Sequence, residues 1–95
     1  EVIDPRTLVP LDMETILNSV KKTGRLVTVE EAPHIGGWGA EVATRVTDAG
    51  IWYLEGPVVR VTLEGAIIPF SQPLEDHVIP NKGRVVAAVR HALTV

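Results

Sequence analysis

Residues Arg25 to Gly39, RLVTVEEAPHIGGWG, constrain the fold more than any other stretch. Leu26, Val27 and Val29 are apolar and partly β-branched, which suits a buried strand. Glu30 and Glu31 end the apolar run, and Pro33 biases Ala32 away from helix. Gly36, Gly37 and Gly39 then allow a sharp turn and a helix start close to neighbouring backbone. A strand, a glycine-rich turn and a helix form the repeating unit of an open α/β sheet.

The flanking sequence supplies similar units. Val2 and Ile3 are expected to be the buried pair of a first strand, ended or held at an edge by Pro5. A helix is predicted at 12–22. Asp12 is a good N-cap, Leu11 and Ile16 have staple spacing, and Met13, Ile16, Leu17 and Val20 make one apolar stripe. Glu14 and the pair Lys21, Lys22 complement its dipole, and Gly24 terminates it. A second strand is placed at 25–30. A second helix is predicted at 38–49, with a stripe of Trp38, Val42, Val46 and Ala49. Ile51–Leu54 is a short apolar run of open type. Gly56-Pro57 signals a turn before a third strand at 58–62. Leu63 to Pro80 reads as a long irregular segment, with a helical turn allowed at Leu74–His77. A last helix is predicted at 81–93, capped by Asn81. This order implies a parallel sheet with right-handed crossovers.

The chain's 95 residues allow one small domain, burying roughly 60–65% of the unfolded surface. Its net charge of −3 argues against general nucleic-acid affinity. It has no cysteine, hence no disulfide, thiolate metal site or cysteine nucleophile. No apolar run approaches ~18 residues, so no membrane span is expected. The chain opens on Glu1 inside a strand-like run, as a piece of a longer polypeptide would.

Candidate chemistry is sparse. The Gly36, Gly37, Gly39 turn could hold a phosphate at a helix start. Its spacing matches neither GxGxxG nor a P-loop, and Glu30 and Glu31 would repel an anion. Close helix–strand packing is the structural alternative. His34, His77 and His91 could each be a base or a ligand, or simply surface or interface histidines. Glu75 and Asp76, with Glu64 nearby, form an acidic cluster that could dock a basic partner or be a solvated loop. Ser19 and Ser71 belong to no nucleophile motif. Trp38, Trp52, Tyr53 and Phe70 suit core or interface better than base stacking. No catalytic, cofactor-binding or metal-binding residues are assigned.

EVIDPRTLVPLD, KKTGRLVTVEEAPHIGGWGAEVATRV, VVRVT and PFSQPLEDHVIPNKGRVVAAVR, in that order, carry a resemblance. The combination of IDxRTxxPxD, EEAPxxGGxGAE and PLEDxxIP resembles the C-terminal domain of the β subunit of thiamine-diphosphate-dependent 2-oxo acid dehydrogenases. Those enzymes are the first components of the pyruvate, branched-chain 2-oxo acid and acetoin dehydrogenase complexes. The resemblance implies a three-layer α/β/α fold of the transketolase C-terminal type, with a mostly parallel sheet. Residues 1–95 would be one partial domain, lacking that fold's first strand and helix. Open strand edges could then recruit a second copy of the chain as a homodimer.

The same resemblance implies an oxidoreductase as parent enzyme, with thiamine diphosphate and magnesium bound elsewhere in it. This chain would be non-catalytic. It would help to assemble an α2β2 tetramer from the α subunit and a second β subunit. It would also dock on the subunit-binding domain of the dihydrolipoyl acyltransferase, with Glu75 and Asp76 as docking residues. A cytoplasmic (bacterial or archaeal) or mitochondrial matrix location follows. The alternatives are a small phosphate- or ligand-binding module, or the same domain of another transketolase-type enzyme. Two departures from the family pattern are Pro5, where an apolar strand residue is usual, and Leu63–Ile67, where a Gly-x-Asp-x-Pro-like turn is usual.

Overall fold

In the computed structural model, which describes residues 1–63 and 80–95, the elements are helix α1 (Met13–Thr23), strand β1 (Val27–Pro33), helix α2 (Trp38–Gly50), a 3₁₀ turn (Ile51–Tyr53), strand β2 (Val59–Leu63) and helix α3 (Lys82–Thr94). Each forms for a local reason. Asp12 caps α1, its carboxylate accepting from Thr15 N at 3.1 Å and from Thr15 Oγ1 at 2.7 Å. Gly24 closes the helix in the left-handed region at φ 71° and donates to Val20 O. Asn81 caps α3, accepting from Arg84 N at 2.9 Å.

β1 and β2 pair in parallel, with Val27 opposite Val59, Thr28 opposite Arg60 and Val29 opposite Val61. A bulge between Val29 and Pro33 then brings Pro33 opposite Leu63. The bulge carries β1 past the glutamates, where the sequence suggests that it ends. α2 crosses between the strands and packs on α1 and β1. Ile16, Val20 and Val46 form the core beneath these two helices, with Leu26, Val42 and Tyr53 against it. A second buried set consists of Val61, Leu63 and Ala92, where α3 packs on β2. Alternation along the strands separates the two sets: Thr28, Glu30 and Arg60 face α2, and Val61 and Leu63 face the other way. The helix/sheet/helix layering is that of the expected fold class.

The first strand is a correction. Residues 1–12 hold no strand, and among the described residues the sheet has two strands, not three. Asp4 Oδ1 accepts from Arg6 N at 3.1 Å, Arg6 takes φ 65°, and Thr7 N bonds to Pro5 O. This Asp-Pro-Arg turn bends the chain where a ladder would have to continue. Val2 is fully exposed, and only Ile3 of the expected pair packs on the core. Glu1 ties the segment to α1 through Lys22 Nζ at 3.2 Å. Ala49 is exposed rather than part of the buried stripe of α2, and Gly50 is buried at the helix end. The predicted turn at Leu74–His77 lies outside the described residues.

A groove of about 570 Å³ lies beside β1, bounded by the N-terminal segment and α3, with Val2, Leu8, Val27, Val29, Val89 and Leu93 among its walls. Val29 sits mid-strand yet is half exposed. Strands of parallel sheets are ordinarily covered on both faces.

Thr15 bonding holds the Asp12 carboxyl below its ordinary range. A depressed folded pKa means that the cap's contribution is complete above the unfolded value and fades as pH falls through the folded one. Replacing Asp12 by Ala is expected to lower stability at neutral pH, and the difference from the unsubstituted chain should shrink as pH falls through and below the ordinary aspartate range. Urea melts across that range test both halves.

Candidate functional site

The glycine turn between β1 and α2 is built for close approach. Gly36 lies at φ 84°, where side chains are rarely tolerated. Gly37 caps α2 with extended backbone and no side-chain bond. A Cβ on Gly39 would stand 2.7 Å from Thr28 Oγ1 and 2.8 Å from Glu30 Oε1. This is the close helix–strand packing expected from the spacing.

The helix start is occupied by the chain itself. Both carboxylate oxygens of Glu30 lie 3.0 Å from Gly39 N. Arg60 Nη2 stands 3.5 Å from Glu30 Oε1, and both side chains are only 16% exposed. The same Nη2 donates to His34 O at 2.6 Å. Strand pairing brings Arg60 there, because it sits opposite Thr28, two residues from Glu30 on the same face. Thr28 Oγ1 and Arg60 Nε are buried without a hydrogen-bond partner. Glu30 therefore fills the positive end of α2 that a phosphate would use. Its carboxylate, expected only to repel an anion, takes the anion's place. Of the amides at this turn, that of Gly39 is engaged by Glu30.

His34 Nδ1 lies 3.2 Å from Thr62 Oγ1, and Arg84 Nη2 donates to the Thr62 carbonyl at 2.6 Å. His34 and His91 are both exposed, and no cluster of metal-ligating side chains occurs among the described residues. Ser19 on α1 bonds to Glu1, which with Lys22 lowers that carboxyl's pKa. Trp38 is half-buried under the Arg45 guanidinium, whereas Trp52 is 70% exposed beside Tyr53. Glu64, Phe70, Ser71, Glu75, Asp76 and His77 lie outside the described residues.

The Glu30–Arg60 pair is the feature that residue-by-residue reading missed. Its signal was alternation: a glutamate in phase with Thr28, on the strand face that meets a glycine helix start. The residues described do not fit thiamine diphosphate, since the one glycine-rich helix start is filled by a carboxylate.

A layered α/β domain with a glycine turn packed closely between strand and helix is the class that fold and site define. The family model for the transketolase C-terminal domain matches residues 1–85, and the chain belongs to that family. It is 43% identical over 90 residues to the pyruvate dehydrogenase E1 component subunit beta of Rhizobium meliloti, covering 95% of this chain and 20% of that protein. It is 44% identical over 96 residues to the mitochondrial subunit beta of Ascaris suum, covering all of this chain and 27% of that protein. It is 43% identical over 93 residues to the Bacillus subtilis subunit beta, covering 98% of this chain and 28% of that protein. The chain thus spans between a fifth and just over a quarter of these relatives' length.

Proposed function

We propose that this chain is the C-terminal domain of the β subunit of a thiamine-diphosphate-dependent 2-oxo acid dehydrogenase. In this reading it serves assembly and docking, and the decarboxylation and acyl transfer to lipoyl groups occur elsewhere in the parent enzyme. The observation that carries the reading is identity above 40% across essentially the whole chain to pyruvate dehydrogenase β subunits from bacteria and a nematode mitochondrion. The carboxylate at the helix start supports the non-catalytic part, because it engages the Gly39 amide that a phosphate would compete for. Thiamine diphosphate and magnesium belong to the parent enzyme, in the cytoplasm or the mitochondrial matrix.

The partners are an α subunit and a second β subunit in an α2β2 enzyme, and the subunit-binding domain of the acyltransferase. Glu75 and Asp76 are the docking residues, and the partner surface is basic. Titration calorimetry with that subunit-binding domain tests this. Charge reversal to Lys at both positions should weaken binding about tenfold or more and flatten its salt dependence. Unchanged affinity removes the two residues from the interface, and no heat from the unsubstituted, folded chain removes docking.

A second prediction separates this reading from a phosphate module. Adding inorganic phosphate or thiamine diphosphate should leave the amide resonances of Gly37–Ala40 where they are. Saturable shifts confined to those four residues would restore the ligand-binding alternative.

A further inference from the structure

We draw no further inference here: the strongest candidate, the apolar groove beside β1 between the N-terminal segment and α3, is an unpartnered face, and nothing in the structure shows what covers it.

Discussion

Glu30→Ala is expected to lower stability by about 3 kcal/mol, the largest single loss of charge pairing among the described residues. The side chain holds three elements together. It lies on β1, accepts the Gly39 amide in the first turn of α2 and faces the guanidinium of Arg60 on β2. Its removal strands a guanidinium that is 16% exposed and whose Nε already has no partner. It also leaves the Gly39 amide without an acceptor. In a chain of this length the change should lower the melting temperature by roughly 12–24 °C. Thermal melts followed by circular dichroism measure it. Glu30→Gln keeps the shape and an acceptor for Gly39 N, so it should recover about half of the loss and remain folded where the alanine variant does not. Arg60→Met in the Glu30→Ala background should cost little more, since the stranded charge goes with it. A loss below about 1 kcal/mol for the alanine variant would show that the helix dipole and Arg60 are satisfied by water instead.

What was legible in the sequence follows from the range of the forces involved. α1, α2 and α3 were readable to within about a residue because caps, glycines and stripes act within a few positions. Asp12, Gly24 and Asn81 set boundaries with no help from the rest of the fold. The strand, turn and helix at Arg25–Gly39 were readable for the same reason. The extra length of β1 was not, because it depends on a bulge that returns Pro33 to Leu63. The first strand failed on a local competitor. Val2 and Ile3 have strand character, but the Asp4 side chain and Pro5 together favour a turn, and isolated propensity cannot beat a missing ladder. Glu30 lay in plain view as a charge near a glycine turn. Its partner was fixed only by the pairing of Thr28 with Arg60, which brings together residues 32 positions apart. Family membership was legible over the whole chain because it rests on several spaced motifs rather than on one.

Gly39→Ala is expected to destabilise the domain by about 2 kcal/mol, the opposite sign to the usual effect of alanine in a helix. In an exposed helix interior the change gains about 1 kcal/mol, by lowering the entropy of the unfolded chain. At Gly39 the new methyl would meet Thr28 Oγ1 at 2.7 Å, Glu30 Oε1 at 2.8 Å and Arg60 Nε at 3.3 Å. None of these is a free side-chain end. The carboxylate is held by the Gly39 amide and paired with the guanidinium, and the hydroxyl belongs to a strand paired on that side. Relief requires α2 to withdraw from β1, lengthening the Glu30 bonds that anchor it. Gly83→Ala on α3 is the matched control, since its methyl would meet only Asn81 Oδ1 at 3.4 Å. That variant should gain up to about 1 kcal/mol. Urea melts of the two variants should therefore move in opposite directions. If both move upward, α2 has room to shift and the Glu30 clamp is looser than its geometry indicates. If Gly39→Ala falls and adding Thr28→Ala restores part of the loss, the contact with the β1 hydroxyl is the one that sets the distance between helix and strand.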